Sequence, residues 1–170
     1  ARDSLKHSLR EWLEYQNSPI GAAGPAGSSE TVVLKISSIQ SEGPADTWMM
    51  LDDGSVLVSA TNPPAADSYT VTVRQALHDV RAIRLETLTD DTLPGTGPGR
   101  GDVDRPNFVL QEFRAVVQPP EMPERKLIFT RAMADFSQKN WDASAAIDGN
   151  LKTGWAIAPQ FRKSHSAVFI

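Results

Sequence analysis

Asp148, Asn150 and Thr153 put oxygen ligands on one short loop, within the stretch Asp142-Ala143-Ser144-Ala145-Ala146-Ile147-Asp148-Gly149-Asn150-Leu151-Lys152-Thr153-Gly154-Trp155. Asp-Gly-Asn makes a tight turn that needs positive φ at Gly149 or Asn150. A carboxylate, an amide and a hydroxyl, joined by backbone carbonyls such as that of Ala145, form a donor set that a hard cation such as Ca²⁺ accepts. The same residues have a plainer reading, in which Asp148 accepts backbone N–H bonds as an Asx turn and holds no metal. Ca²⁺ takes roughly six to eight oxygens, and the three side chains supply only part of that shell. Trp155 falls on the same strand face as Thr153 and covers the inner side of the loop.

A second stretch with chemical potential is Asp90 to Asn107, DDTLPGTGPGRGDVDRPN. Its alternating glycines do not make a phosphate loop. The Gly-Lys-Ser/Thr ending is missing, and Asp102, Asp104 and Pro106 stand where a helix should start. Arg100-Gly101-Asp102 matches an integrin-type tripeptide, a pattern short enough to recur by chance. As a long loop at one end of a β-sandwich, the segment offers Arg100, Asp102, Asp104 and Arg105 to hydrogen-bond sugar hydroxyls. Its alternative is a crossover held by Arg–Asp pairs.

Aromatic side chains are the other requirement for sugar recognition, because pyranose C–H bonds stack on ring faces. Trp48, Trp141, Phe161 and Tyr69 are the candidates. Tyr69, like Trp155, sits in an alternating strand pattern and is expected in the core. Trp48 and Trp141 each follow a polar loop and are better placed to meet a ligand, although packing suits each of them too. Catalytic signals are weak. His7, His78 and His165 show neither triad nor zinc spacing, and the acid pairs Asp52/Asp53, Asp90/Asp91 and Glu121/Glu124 fall in turn-like stretches.

The run Ala145-Ala146-Ile147-Asp148-Gly149-Asn150-Leu151-Lys152-Thr153-Gly154-Trp155 resembles the signature of discoidin-like domains, also called coagulation factor 5/8 type C or galactose-binding-like domains. LDDGSVLVSATNPPAADSYTVTV, IRLETLTDDTLPGTGPGR, NFVLQEF and DFSQKNWDASAAIDGN are similar to a narrower variant. That variant is associated with large multidomain proteins of planctomycete-type bacteria that also carry cytochrome-c-like domains. The resemblance covers about residues 31 to 170. It implies a jelly-roll β-sandwich, sugar binding through loops, a structural Ca²⁺ near the Asp-Gly turn, no haem in this segment and an extracytoplasmic setting. Related domains often take a last Ca²⁺ ligand from a carboxylate near their C-terminus, and this sequence ends before one. In the narrower variant the Gly/Pro segment and Asn107-Phe108-Val109-Leu110 form a fixed framework, which favours the crossover reading of that loop.

These candidates need elements to position them. From Thr31 the hydrophobic period is two. Val32, Leu34 and Ile36 alternate with Val33, Lys35 and Ser37, while Tyr69, Val71 and Val73, and Ile83 and Leu85, alternate with polar residues. Asp52-Asp53-Gly54-Ser55 between Trp48–Leu51 and Val56–Val58 predicts a hairpin. Residues 107 to 117, Leu127 to Phe129 and Ser166 to Ile170 read as further strands, and a short helical turn is expected around Asn140 to Ala146. The class is all-β, a sandwich or jelly roll. Upstream, Leu5, Leu9, Trp12 and Leu13 predict an amphipathic helix over 3–16 that belongs to a preceding region or docks back loosely. Residues 17–30 are a Gly/Ala/Pro/Ser linker. The expected division is therefore 1–16 helix, 17–30 linker and 31–170 β-sandwich.

Composition fits this picture. The chain has 170 residues, 40% hydrophobic and 22% charged, enough for one domain with a core and an appendage. A formal charge of −4 argues against a nucleic-acid surface. No apolar run approaches the roughly 20 residues of a membrane span. The absence of cysteine excludes disulfides and thiolate chemistry. Ala1 at the start reads as a piece of a longer or processed protein. Ser166-Ala167-Val168-Phe169-Ile170 reads as a strand in need of a partner beyond Ile170, so the sandwich is expected to be incomplete at its C-terminus. The functional expectation is a non-catalytic carbohydrate-binding or adhesion module that takes a polysaccharide or glycan and adjoins other domains. The alternatives are a structural inter-domain insert with no ligand, or part of a hydrolase completed by other sequence.

Overall fold

The computed structural model describes residues 31–43, 47–59 and 63–170. The helix expected over 3–16 and the linker over 17–30 lie outside the described residues. The described chain is all-β: short antiparallel pairings joined by turns, with two 3₁₀ turns as its helical content. Its contacts divide it into two compact units, residues 31–79 and residues 80–170.

In the first unit, β1 (Ile36–Ser41) pairs with β4 (Tyr69–Val73), and β2 (Thr47–Met50) pairs with β3 (Val56–Ser59). The alternation from Thr31 predicts a longer first strand, but the ladder begins only at Ile36 opposite Val73. Residues 31–35 form no ladder among the described residues, and Val33 is 74% exposed. The Asp-Gly hairpin forms as expected. Gly54 takes φ 83°, its N–H donates to the Leu51 carbonyl, and the Leu51 N–H donates to Ser55. Asp53 fixes the turn by accepting bonds from the Ser55 hydroxyl (2.6 Å) and amide (2.9 Å), which hold its carboxyl below the ordinary carboxylate value. Asp67 plays a similar part at the end of β1, accepting from the Ser41 hydroxyl at 2.6 Å and the Gly43 amide at 2.8 Å.

The second unit holds β5 (Ile83–Thr87), β6 (Val109–Leu110), β7 (Val116–Val117), β8 (Arg125–Lys126), β9 (Ala132–Ala134), β10 (Trp155–Ala156) and β11 (His165–Phe169). β11 is the centre of a three-stranded sheet, with β5 on one side and β9 on the other. Its partners lie upstream in this chain, which corrects the expectation that 166–170 pairs beyond Ile170. The strand expected over 107–117 is two short ones. β6 pairs with β10 and β7 with β8, while between them the Phe113 amide leaves the ladder to reach the Ala146 carbonyl at 2.7 Å. The strand expected at Leu127–Phe129 is displaced to its flanks, β8 and β9. The helical turn expected around 140–146 is a 3₁₀ turn over Ala143–Ala146.

Period two on β11 sets the core. Ala167 and Phe169 are fully buried, and Ala132 and Ala134 of β9 and Ile83 and Leu85 of β5 stand opposite them. Phe169 stacks on Phe113 with centroids 4.0 Å apart, and Phe129 leans on both. Trp155, also fully buried, meets Phe108 edge-on at 5.1 Å and donates its indole N–H to the Phe136 carbonyl at 2.8 Å. The alanines at 132, 134, 143, 146 and 167 leave the room these large rings fill.

Candidate functional site

The loop over 90–107 is built on a packed base with an exposed rim. Gly97, Gly99 and Pro106 are buried, whereas Asp102, Asp104 and Arg105 are exposed and Arg100 is half-buried. The Gly99 amide donates to the Pro106 carbonyl at 3.0 Å, closing the loop across its neck. A Cβ at Gly99 would collide with the backbone of Asn107, and one at Gly95 (φ 56°) with the carbonyl of Val103. Backbone, unlike a side-chain tip, cannot swing away. Gly99→Ala is therefore expected to destabilise the protein by about 2–3 kcal/mol, read as a lowered urea midpoint. An unchanged midpoint would show that the neck is not packed this way.

At the rim, Asp102 Oδ1 accepts the amides of Asp104 (2.9 Å) and Arg105 (3.2 Å), an Asx turn. At the start of the loop Asp90 accepts from the Thr92 hydroxyl (2.5 Å) and amide (2.9 Å), which lower its carboxyl below the ordinary value. A brace arrives from elsewhere in the chain. Arg162, held at φ 59°, donates its amide to the Gly97 carbonyl at 3.1 Å. Its guanidinium donates to the carbonyls of Val103 (3.2 Å) and Asp104 (3.4 Å). Arg162 is a contributor that the sequence did not single out.

Trp141 stands beside the base of this loop. Asn107 donates to the Gln138 side chain at 3.1 Å and accepts the Ile157 amide at 3.1 Å. Gln138 in turn bridges to Trp141, whose carbonyl accepts the Ala156 amide at 3.3 Å. One half-buried aromatic ring and a polar rim are thus tied to a common framework. Phe161 is half-buried and directly precedes Arg162 in the bracing loop. Trp48 is 46% exposed on β2, in the first unit. Tyr69 is 41% exposed, which corrects its expected place in the core. The two-stranded β1–β4 ribbon leaves most of β4 accessible, so strand alternation there does not translate into burial.

The Asp-Gly-Asn turn gathers its oxygens as the spacing suggests. Gly149 takes φ 76°, and Asp148 Oδ1 accepts the Asn150 amide at 2.8 Å. The Thr153 hydroxyl lies 2.8 Å from both Asp148 Oδ2 and the Asn150 carbonyl, and its single proton can serve one of them at a time. Glu112, which the sequence reading missed, reaches the turn and accepts the Gly149 amide at 3.1 Å. Gln111 donates to the Leu151 carbonyl at 2.5 Å, so the segment after β6 fastens the loop from one side. Ala145 lies in the preceding 3₁₀ turn, its amide bonded to the Asp142 carbonyl. Among the described residues no group of three or more His, Cys, Asp or Glu side chains is placed to hold a metal. A cation here would depend on carbonyl and hydroxyl oxygens beside one or two carboxylates.

A buried ion pair lies inside the second unit. His165 opens β11, 3% exposed, with Nδ1 3.0 Å from Asp135 Oδ2 and Nε2 2.8 Å from the Gln160 carbonyl. Asp135 Oδ1 accepts the Ser166 amide at 2.9 Å. Both partners of the ring are acceptors, so only the imidazolium, a donor at both nitrogens, satisfies both. Burial opposes that charge. The hydrogen bonds to Asp135 and to Gln160, with the Asp135 charge, outweigh burial and the repulsion of Lys163, and the ring is held above the ordinary histidine value. With both nitrogens engaged, His165 is a structural ion pair and offers no free base to a substrate. The signal was present in the pattern: His165 shares the face of Ala167 and Phe169, and period two alone carries it inward.

Among the described residues no helix is long and apolar enough to cross a membrane. No family model, no curated protein and no solved structure matches the chain.

Proposed function

We propose that the chain is a discoidin-like, galactose-binding-like module of jelly-roll type, and that it binds a carbohydrate without catalysis as part of a larger extracytoplasmic protein. The observation that carries this reading is the junction of Trp141 with the 90–107 loop through Gln138 and Asn107. It ties Trp141, an aromatic residue able to stack on a sugar, to the base of the loop that carries Arg100, Asp102, Asp104 and Arg105. Such a combination of rigid support and convergent polar groups is what sugar recognition uses. Calcium fits the turn in part. Asp148, Thr153 and Asn150 would hold it, with a carbonyl from the Ala145 turn, and its contribution would be to fix that end of the domain.

The test is a glycan array on the whole chain with Ca²⁺ or EDTA, followed by titration with any retained glycan. Trp141→Ala is expected to weaken binding at least about tenfold, the scale of one lost stacking contact. Asp148→Ala is expected to abolish any rise in melting temperature given by Ca²⁺. An array with no retained glycan overturns the binding reading. A melting temperature indifferent to Ca²⁺ in the unmodified chain removes the metal alone.

A second reading, an inter-domain insert with no ligand, is favoured by one observation. The β2–β3 ribbon exposes Trp48, Met49 and Met50 by 41–56%, an apolar edge of the kind a neighbouring domain covers. An empty array would favour it.

A further inference from the structure

The His165 ion pair joins three segments that are distant in sequence. Asp135 follows β9, Gln160 belongs to the loop 157–164, and His165 begins β11, the central strand. The same 157–164 loop carries Arg162, whose amide and guanidinium hold the 97–104 segment at Gly97, Val103 and Asp104. A continuous path therefore runs from the ring to the exposed rim: His165, the Gln160 carbonyl, Arg162, then the rim backbone.

Loss of one proton breaks this path at a defined place. A neutral ring keeps a single N–H. The carboxylate is the stronger acceptor, so that proton stays on Nδ1 toward Asp135. The Nε2 lone pair then faces the Gln160 carbonyl oxygen across 2.8 Å. Two acceptors at that separation repel, and the 157–164 loop, which lies outside the strand ladders, yields before the three-stranded sheet does. The groups facing the ring are few. Asp135 attracts its charge and Lys163 opposes it. From β5, Thr87 stands opposite His165 and donates its hydroxyl to the His165 carbonyl at 3.3 Å. Glu86 stands opposite Ser166 and is paired with Arg84. Phe136 supplies a neutral ring wall at 5.9 Å.

We infer that the charged His165 ring is a proton-operated latch that fastens the 157–164 loop, and through Arg162 the 97–104 rim, to the three-stranded sheet. Both segments loosen together when the ring becomes neutral. The latch is independent of what the rim binds.

The experiment is NMR on the whole chain between about pH 6 and about pH 9, a range that brackets and exceeds the ordinary histidine titration. The ring nitrogens of His165 report the proton directly. The amide shifts of Arg162, Gly99 and Asp104 are expected to move with the same midpoint. Exchange protection at Arg162 and Gly99, corrected for intrinsic rate, is expected to fall about tenfold through it, the scale of one lost hydrogen bond. The Ile170 amide, which donates to the Arg131 carbonyl at the far end of β11, is expected to keep its protection. Arg162→Gly retains the left-handed backbone and removes the guanidinium. In it, His165 is expected to keep its midpoint while Asp104 ceases to respond. Titration of His165 without movement of these amides overturns the latch. So does an equal loss at Ile170, which would mean that the sheet opens as a whole. Persistent coupling of Asp104 in Arg162→Gly overturns the part of the route assigned to the guanidinium.

Discussion

Replacing Trp155 by alanine is expected to remove about 3–5 kcal/mol of stability, a large share of the about 5–15 kcal/mol that a unit of ordinary stability has. Trp155 is fully buried, touches Phe108 and lies in the same cluster as Ile157, Phe169, Ala143 and Ala146. Its removal leaves a void that short strands and 3₁₀ turns cannot collapse around without losing their own bonds. It also strands the Phe136 carbonyl, which now accepts the indole N–H at 2.8 Å. Trp155→Phe separates the two contributions. It keeps most of the volume and loses the donor, so its cost should be smaller, about 1–3 kcal/mol. Urea denaturation read by both far-UV dichroism and fluorescence checks the series. Equal costs for the two variants would mean that the hydrogen bond and not the packing holds this position.

The second large effect concerns Asp135. Removing its carboxylate leaves the buried imidazolium without a counter-charge, and Asp135→Ala is expected to cost about 3–5 kcal/mol near pH 6. The pH dependence has a definite sign. The folded chain holds the His165 proton more tightly than the unfolded chain does. The contribution of the pair is therefore complete below the unfolded histidine value of about 6.5, and it is lost as pH rises through the higher folded value. Unfolding free energy in the unmodified chain should fall from pH 6 upward. Asp135→Asn should flatten that slope, because the partner that raises the ring's proton affinity is gone, and its cost relative to the unmodified chain should shrink toward pH 9. A stability difference that is constant over this range would assign Asp135 a purely steric role.

Much of the fold was legible because period two and Asp-Gly turns are local signals. The β2–β3 hairpin, β4, β5 and β11 all lie where alternation placed them, and the Asp148 turn has the left-handed Gly149 that its sequence demands. What stayed hidden is set by partners far away in the chain. Thr31–Lys35, like Tyr69–Val73, is rich in β-branched residues, yet among the described residues only the latter finds a ladder. Residues 107–117 divide because their neighbours change from β10 to β8 midway, a fact of topology that no window of sequence contains. Ala132–Ala134 gave no strand signal, since alanine has little β preference. It pairs because β11 needs small residues beside Phe169.

The candidate site divides along the same line. Residues offered by type and loop position, Arg100, Asp102, Asp104, Arg105 and Trp141, are carried by one framework. Within that framework Asn107 falls in the run that the resemblance treats as fixed, whereas Gln138 and Arg162 drew no notice because single amide and guanidinium groups that brace a loop have no motif. Glu112 likewise joins the Asp148 turn from a different strand segment. Tyr69 shows the opposite error. Its pattern was that of a core residue, but a ribbon of two strands has no second layer to bury it among the described residues of its unit.

The position of β11 in the three-stranded sheet bears on how the protein is made. A chain emerging from the ribosome delivers residues 83–87 first and 132–134 later, and neither can pair through the middle strand until 165–169 have left the exit tunnel. Phe113 and Phe129 emerge about fifty and about thirty-five residues before β11, and while those residues are synthesised at about 5–20 per second the two rings have no completed sheet to rest on. The unit should therefore acquire its structure late and all together. Its nascent form is the species that holding chaperones would engage.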